Sequence, residues 1–529
     1  MLPMMHKSGS AVGGARRCRG AKPACSWQLR ASGASIRPSA ACGAASSGEA
    51  SVSGRSHAAA AAAAAGAASA APRRRAAGAP LARGPVAPRV NIDDLMLDVP
   101  EIDGDIRSLQ VEMGAIFNDA GLATTFGKKK QALQALETGL VLVDQSHWSR
   151  LRVSGDDRLA LLQNQSTQDF RALKPGQGAD TVFVTPTARC LDLATALVLP
   201  SSIMLLLAET TSEQSGRGER PAGAALVERL NKMIFRGDKV AVQDVSERTA
   251  QIALLGPEAE VVLRELAPDA LTAVLGAPAG THVLVGFRGK PVFVVAGGGL
   301  GPGVPGYTLI ADESIGGDVY AAFAAKGAIP MGTEDWEAAR VLAGRPLRGA
   351  ELTEEHNPLE AGLYGAVSLN KGCYIGQETL AKLHLRDGVN RQLWGLSLSG
   401  PTSPGTEITS ELSKVGVVTS ACQDAEGDWV GLGYIRSRIE GTQIALEGVR
   451  VAVGGTPATV TAIPFATRKL SASAEAPTSG SDTVSGRLED AKKKKEEEAA
   501  AKEAATAAKL QAMQERLAAW QAQQKQQQQ

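Results

Sequence analysis

The chain has 529 residues and a nearly balanced charge, with 56 Lys and Arg against 55 Asp and Glu. The balance is uneven, because residues 1–90 hold thirteen basic residues and a single acid, Glu49, which leaves 43 basic against 54 acidic residues beyond them. Nonspecific nucleic-acid binding needs clustered Lys and Arg, so the mildly acidic body excludes it. The six cysteines are scattered and do not suggest a disulfide framework, which favours a reducing compartment.

The first 90 residues are rich in Ala, Ser, Gly and Arg and lack an organised apolar pattern. This composition is typical of an organellar transit peptide. The alanine run at 58–65 is too short to span a bilayer, which takes about 20 apolar residues. We therefore predict that residues 1–90 are a disordered transit peptide, the alternative being a low-complexity tail without function. The expected destination is the chloroplast stroma, with the mitochondrion as second choice.

The body mixes helical and strand patterns along the chain. Leu109, Met113, Ile116 and Phe117 recur at helical spacing and predict a helix that stops at Gly121. Short apolar or alternating segments predict strands at 141–144, 151–153, 181–184, 195–199, 204–208, 240–242, 251–255, 282–285 and 292–296. Helical spacing recurs at 131–137, 156–163, 222–233, 257–266, 318–325 and 334–343. Residues 91–392 are therefore predicted to form an α+β body.

The composition changes after Arg391. Short strands separated by Gly, Pro and Ser are predicted at 394–398, 415–419, 430–435, 443–446, 449–453 and 458–463, so residues 393–468 form a small all-β domain. Residues 469–486 are predicted to be a flexible linker. Residues 487–529 are rich in Ala, Lys, Glu and Gln and are predicted to form a long helix. Its single apolar seam (Leu510, Met513, Leu517 and Trp520) is too short to argue a coiled coil. A solvated lone helix is favoured over a partner-binding one.

The octapeptide Lys-Gly-Cys-Tyr-Ile-Gly-Gln-Glu, at 371–378, carries the chemistry that stands out. Gly372 and Gly376 flank Cys373 and allow a tight turn. A thiol just before a helix N-terminus, with Lys371 nearby, is placed where the thiolate is favoured, although Glu378 opposes this. The alternative is that Cys373 is a small buried residue. The other cysteines and the histidines show no ligand spacing, so no resident metal is predicted.

This octapeptide resembles the signature of the YgfZ family, folate-binding proteins of iron–sulfur-cluster maturation that are related to the glycine-cleavage T-protein, a folate-dependent aminomethyltransferase. Further segments follow in family order at 153–167, 305–307, 340–346, 358–362, 416–420 and 464–465. The T-protein has no cysteine matching Cys373, and it has paired aspartates where this chain keeps only Asp192. The resemblance, which covers about residues 105–467, therefore favours cluster maturation over aminomethyl transfer.

The resemblance implies an α+β fold: a ring of two antiparallel α/β lobes and a small C-terminal β-barrel, to which this chain appends its helix. Tetrahydrofolate or a derivative would sit in the central channel, with Cys373 at its edge as the reactive residue. The candidate folate contacts are Asp192, Gln163, Lys371, Tyr374, Gln377, Glu378 and Arg391. Whether Cys373 relays electrons, holds a transient cluster with a partner or traps a folate-borne carbon unit stays open.

The function implied is that of a folate-dependent factor that assists the assembly or repair of 4Fe–4S clusters in the organelle. The alternative is a tetrahydrofolate-dependent aminomethyltransferase-like enzyme, and a third reading is a folate-binding adaptor whose tail recruits partners. Expected partners are folate and iron–sulfur assembly proteins or client apo-proteins, without nucleic acid and without stable membrane association. The chain is not expected to be a glycine-cleavage enzyme, and whether it catalyses a reaction stays open.

Overall fold

The computed structural model describes residues 105–209, 221–267, 269–301, 303–411, 413–439, 442–468 and 482–527. The predicted transit peptide, residues 1–90, lies outside the described residues, as do residues 469–481 of the predicted linker. The domain boundaries inferred from the sequence therefore stay predictions. Within the described part of the chain, none of the helices combines the length and hydropathy needed to cross a bilayer.

The helices and strands are numbered in chain order. The α-helices of the described residues are α1 (Ile106–Glu112), α2 (Lys129–Thr138), α3 (Arg158–Gln165), α4 (Ala222–Asn231), α5 (Glu258–Leu266), α6 (Gly316–Ala325), α7 (Thr333–Ala343), α8 (Gln377–Leu385) and α9 (Val484–Gln527). The strands up to the end of the α+β body are β1 (Ile116–Phe117), β2 (Ala123–Thr125), β3 (Val141–Asp144), β4 (Ser149–Ser154), β5 (Gly178–Val184), β6 (Cys190–Val198), β7 (Ser202–Leu207), β8 (Ala241–Asp244), β9 (Thr249–Leu255), β10 (His282–Phe287), β11 (Lys290–Ala296), β12 (Gly306–Asp312) and β13 (Ile329–Met331). The later strands are β14 (Arg391–Leu398), β15 (Glu407–Ser410), β16 (Ser413–Gln423), β17 (Trp429–Arg436), β18 (Arg438–Ile439), β19 (Thr442–Gln443), β20 (Arg450–Val453) and β21 (Thr456–Thr461).

The first lobe is a five-stranded antiparallel sheet in the order β5-β6-β7-β4-β8. Helices α3 and α4 bury their apolar faces against it, around the fully buried rings of Phe170 and Phe183. The lobe is an insertion in the chain of the second lobe, because it lies between β3 and β9, which pair with each other. Its entry and exit are joined by a hydrogen bond from the Gln145 amide to the Gln251 carbonyl at 2.8 Å.

The second lobe is a six-stranded sheet in the order β10-β11-β12-β9-β3-β13. Both faces are covered: α5 and α6 pack on Leu142 and Leu254, while α2 and α7 pack on Val143 and Leu255. Burial on both faces explains the apolar runs at 141–143 in β3 and 252–255 in β9. The resemblance implies antiparallel lobes, but β13 runs parallel to β3, because the chain returns through α6 to the sheet edge in the same direction.

The last strands close into a six-stranded barrel in the order β14-β17-β16-β15-β20-β21, with β21 paired back to β14. Its interior holds apolar side chains such as Leu396, Ile408 and Val460. The first turns of α9 pack on this barrel through Val484 and Leu488. The following residues of α9, from 492 to 516, are exposed. The chain thus has the predicted α+β class, with two lobes, a closed barrel and a C-terminal helix.

The first helix is shorter than the pattern predicts. Helix α1 ends at Glu112 rather than near Gly121, and Ile116 and Phe117 form β1 instead. The break lies at Gly114, whose φ of +84° is left-handed backbone that ends a helix. The helical spacing of Ile116 with Leu109 and Met113 was therefore a coincidence of apolar residues on either side of a glycine stop.

Candidate functional site

The residues 371–376, here called the motif loop, present a thiol to solvent. Of the three cysteines in the described residues, Cys373 is exposed, Cys190 is buried and Cys422 is half-buried. Burial raises the pKa of the Cys190 thiol, and it raises that of Cys422 to about 12. The alternative that Cys373 is a small buried residue is wrong. It is the accessible thiol of the described part of the chain.

The loop is fixed on the first lobe by the side chain of Lys371, which is buried. Its Nζ donates to the backbone carbonyls of Gln163, Ser166 and Gln168 at 2.7, 2.6 and 2.6 Å, and it lies 4.5 Å from the centre of the Tyr374 ring. Burial lowers the pKa of Lys371 to about 7, whereas three carbonyl acceptors favour the charged form. All three hydrogens of the ammonium have partners within the chain.

The far end of the loop rests on the turn between β5 and β6. The Ile375 amide donates to the Asn164 carbonyl at 3.1 Å. Gly376 has a φ of +81°, and a β-carbon there would lie 3.0 Å from the Thr185 carbonyl oxygen and 3.1 Å from Ala188 Cα. This position therefore needs glycine for both its backbone conformation and its close approach. Helix α8 begins at the next residue.

The other predicted site residues of the octapeptide differ in their exposure and in their hydrogen-bond partners. Tyr374 is buried, its hydroxyl has no hydrogen-bond partner among the described residues, and burial raises its pKa to about 12. Gln377 donates to the Lys371 carbonyl at 3.3 Å. Glu378 is exposed and lies 3.6 Å from Lys382 one turn along α8. The octapeptide thus combines an exposed thiol with a carboxylate and an amide beside it.

Gln163 lies next to the motif loop but points its side chain into its own lobe. Its Nε2 donates to Asp169 Oδ1 at 3.0 Å and its Oε1 accepts from the Phe170 amide at 2.8 Å. The side chain therefore braces the segment after α3, while the main-chain carbonyl receives Lys371. Its predicted role as a folate contact stays a prediction.

Arg391 lies on another side of the β5–β6 turn, at the start of β14. It approaches the Glu355 carbonyl at 3.5 Å, the same oxygen to which Arg189 donates at 2.9 Å. Its Nε lies 3.5 Å from the buried carboxylate of Glu360. Neither Glu355 nor Glu360 belongs to the motif loop. The contacts that hold Arg391 are therefore separate from those that hold Cys373.

His356 and Tyr434 form a buried aromatic stack behind these arginines. Their ring centroids are 3.5 Å apart and their planes differ by 11°. Burial, and then the positive charges of Arg391 and Arg189, lower the pKa of His356 to about 3. Its Nδ1 has no hydrogen-bond partner among the described residues and lies 3.9 Å from Glu360 Oε2. The imidazole is therefore neutral at physiological pH.

The sequence patterns do not predict a small cleft that lies between the two lobes. It is lined by Val143, Asp144, Gln145, His147, Trp148, Glu209, Thr333, Trp336, Glu337 and Leu347. The Trp148 and Trp336 rings meet edge to face at 5.2 Å. Trp336 is buried, and its Nε1 has no hydrogen-bond partner in the part of the chain described. None of the predicted site residues is among the lining side chains.

The carboxylates of the cleft are held by neutral donors or by a buried arginine. Asp144 accepts from the Gln110 side chain at 2.9 Å, and Glu209 accepts from Ser149 and from the first amides of α4. Glu337 pairs with Arg340. Carboxylate oxygens accept hydrogen bonds, so the cleft favours ligands that donate them.

Asp192, which the resemblance aligns with the paired aspartates of the T-protein, lies on β6 and is buried. Burial, with a smaller contribution from the charge of Glu209, raises its pKa to about 7 against the opposing charge of Arg348. Its Oδ2 lies 4.0 Å from Arg348 Nε, and its Oδ1 accepts from the Leu193 amide at 2.8 Å. A carboxyl group with this pKa exchanges protons near neutral pH.

Arg340 is the first residue of the segment 340–346, which resembles the family sequence. It lies on α7 and is fully buried. It donates to Glu337 Oε2 at 2.7 Å, Glu351 Oε2 at 2.9 Å and Ser420 Oγ at 2.8 Å. These two carboxylates hold the pKa of Arg340 above its usual range against the opposing effect of burial. The network therefore ties one wall of the cleft to the barrel.

Comparison with known proteins gives the family. The family model described as the GCVT N-terminal domain matches residues 107–371, half of the chain. The chain belongs to this family. The matched GCVT segment contains both lobes and ends at Lys371, so Cys373 lies two residues beyond it.

The relatives of this GCVT-domain chain include a chloroplastic putative transferase of Arabidopsis thaliana, 40% identical over 366 residues, which are 68% of this chain and 80% of the relative. An aminomethyltransferase of Rippkaea orientalis is 27% identical over 328 residues, which are 60% of this chain and 84% of the relative. The crystal structure of aminomethyltransferase T from Bartonella henselae matches with a TM-score of 0.57 and 21% identity, covering 69% of this chain and 98% of that one. This likeness shows the aminomethyltransferase-like fold.

Proposed function

We propose that this protein is a YgfZ-type, folate-dependent factor that assists the assembly or repair of 4Fe–4S clusters, and that Cys373 is its reactive group. The observation that carries the proposal is the exposed thiol held between two buried anchors, Lys371 and Tyr374. A thiolate is a strong nucleophile and a ligand for soft metals, provided that it is accessible. Iron–sulfur assembly proteins or client apo-proteins are the partners that such a thiol would meet.

The proposed location is the chloroplast stroma. One relative is named as chloroplastic, and residues 1–90 have the Ala-, Ser- and Arg-rich, acid-poor composition of a transit peptide. Import of a fluorescent fusion of residues 1–100 tests this assignment. Signal in the chloroplast is expected, and signal confined to mitochondria contradicts it.

The cleft is the proposed place of contact with tetrahydrofolate, because its lining side chains match the chemistry of the folate ring. Trp148 and Trp336 line the cleft with aromatic rings that suit a flat ligand ring. The carboxylates of Asp144 and Glu209 suit ring N–H groups. Folate, when bound, supplies a carrier for one-carbon units. The side chains of this cleft would bind and orient the ring.

Genetic replacement tests the role of Cys373. In a line without the protein, 4Fe–4S enzymes of the chloroplast should lose activity while 2Fe–2S ferredoxins stay near normal. Wild-type protein should restore them, Cys373→Ser should restore less than a fifth, and Cys422→Ser, which removes a half-buried thiol, should restore them fully. The serine hydroxyl is a far weaker nucleophile and soft-metal ligand. Full rescue by Cys373→Ser at equal protein level would exclude the reactive thiol.

A second function, aminomethyl transfer, is favoured by family membership and by the bacterial relatives named aminomethyltransferase. It is tested by incubating the purified protein with tetrahydrofolate and an aminomethylated carrier protein. We expect no release of ammonia above background, because Asp192 stands alone where the T-protein has paired aspartates. Turnover comparable to that of a T-protein would establish this second function instead.

A further inference from the structure

The carboxyl end of α3 lies directly under the motif loop. The last carbonyl groups of a helix have no hydrogen-bond donors within the helix, so other groups must donate to them. Here the Leu162 carbonyl accepts hydrogen bonds from the backbone amide and the hydroxyl of Ser166. The next two carbonyls accept hydrogen bonds from the motif loop. Lys371 Nζ donates to the Gln163 carbonyl, and the Ile375 amide donates to the Asn164 carbonyl. The loop is thus the cap of this helix.

The two capping contacts lie on either side of Cys373. Lys371 and Ile375 are four residues apart, and both are fixed to consecutive carbonyls of α3. Between them, Gly372 and Cys373 are exposed, and a β-carbon on Gly372 would meet no atom within 4 Å. The thiol is therefore the apex of a short segment that is clamped at both ends.

Charge adds to this arrangement. The carbonyl end of a helix carries partial negative charge, which disfavours an anion beside it. The Lys371 ammonium donates to one of these oxygens, that of Gln163, and to the carbonyls of Ser166 and Gln168, which follow the helix, and its charge compensates their partial negative charge. The ionisable groups facing Lys371 are Asp169, whose charge favours the ammonium, and Tyr374, whose ring faces it at 4.5 Å.

We propose that Lys371 is a positioning residue for the Cys373 thiol, which it holds and keeps reactive by capping the carboxyl end of α3. This assignment rests on the proposed function only in naming Cys373 as the group that reacts. It differs from the expectation that Lys371 contacts folate, since each hydrogen of its ammonium is engaged by a carbonyl oxygen.

Alkylation of Cys373 in the full chain tests the assignment. In this reaction the thiolate displaces iodide from iodoacetamide, and mass spectrometry of the Cys373 peptide separates it from the other cysteines. At pH 6.5, where the ammonium predominates even with a pKa of about 7, Lys371→Met should react at least fivefold more slowly than wild type. At pH 9.5, where an ordinary thiol is ionised, the two rates should agree within twofold. The matched control Lys382→Met, which removes an exposed lysine of α8, should follow wild type at both pH values.

Other outcomes overturn the assignment. Equal rates at pH 6.5 would mean that Lys371 does nothing for the thiol, and an equal loss at both pH values would mean that it acts only on access. Should Lys371→Met lack a cooperative unfolding transition, Lys371→Gln, which keeps two donors without the charge, takes its place. Failure of both to fold, while Cys373→Ser folds, would make Lys371 a residue of general stability.

Folate titration separates this inference from the proposed function. Quenching of the intrinsic tryptophan fluorescence by tetrahydrofolate should give affinities within twofold for wild type and Lys371→Met, because Lys371 is not among the cleft-lining residues. A tenfold loss of affinity with unchanged alkylation would make Lys371 a cofactor contact. Full genetic rescue by Cys373→Ser would instead defeat the proposed function and leave the alkylation result standing.

Discussion

Replacing His356 with Phe should make the protein more resistant to acid. The imidazole is buried and stacked on Tyr434, and its pKa is lowered to about 3 by burial and by two nearby arginines. Phenylalanine keeps the aromatic stack and removes the titrating group. It also removes an Nδ1 that has no hydrogen-bond partner among the described residues.

The size of the effect follows from proton binding. In the unfolded chain His356 takes up a proton near its ordinary pKa of about 6.5, but in the folded chain only near pH 3. Between these values the unfolded state binds more protons, so the free energy of unfolding falls as the pH falls. The loss approaches about 1.4 kcal/mol per pH unit. From pH 6.5 to 4.5 it amounts to roughly 2.5 kcal/mol by the same relation.

Urea unfolding of both proteins at pH 7.0, 5.5 and 4.5 measures this difference. At pH 7.0 the two free energies of unfolding should agree within about 1 kcal/mol, as for a volume-conserving exchange. At pH 4.5 His356→Phe should be more stable by about 2 kcal/mol. Asp192, whose raised pKa of about 7 makes stability fall as the pH rises, contributes equally to both proteins and cancels. A difference that is constant across the three pH values would refute the reasoning.

Two further substitutions test the supports of the site. Arg340→Met should lower the free energy of unfolding by about 3–5 kcal/mol in urea titrations, because it leaves the buried carboxylate of Glu351 without its cation; a loss below about 1 kcal/mol would mean that the network is not needed. Gly376→Ala should cost about 1–2 kcal/mol in thermal unfolding, because φ is +81° and backbone atoms lie within about 3 Å of the new methyl group. Gly372→Ala, in open space, is its control and should change stability by less than about 0.5 kcal/mol, so equal losses would contradict the prediction.

The regular elements were largely predictable because their signals are local. The segment 141–144 was expected as a strand and is β3, and the helix expected at 334–343 is α7, which ends at Gly344 with a φ of +76°. The strand β15 was missed, since its sequence Glu-Ile-Thr-Ser holds a single apolar residue. Pairing with β16 and β20 forms it, and those contacts cannot be read from four residues.

In the candidate site too, the local features could be predicted from the sequence and the features that depend on distant residues could not. The thiol of Cys373 was found from a contiguous octapeptide. The cleft was missed, because Trp148 and Trp336 are far apart in the chain and are brought together only when α7 packs on the six-stranded sheet. The carbonyl partners of Lys371 also lie some two hundred residues upstream. The local motif therefore singles out Cys373, but it leaves open whether the thiol is exposed and does not indicate what holds it.

The insertion of one lobe within the other bears on how the chain folds during synthesis. Strand β3 leaves the ribosome early, yet its neighbour β9 follows more than a hundred residues later. Joining distant strands costs entropy that grows with the length of the intervening loop. The five-stranded sheet is continuous in sequence from β4 to β8 and can form first, as domains generally do. Its folded ends lie one hydrogen bond apart, between Gln145 and Gln251, so β9 then meets β3 as if across a short turn.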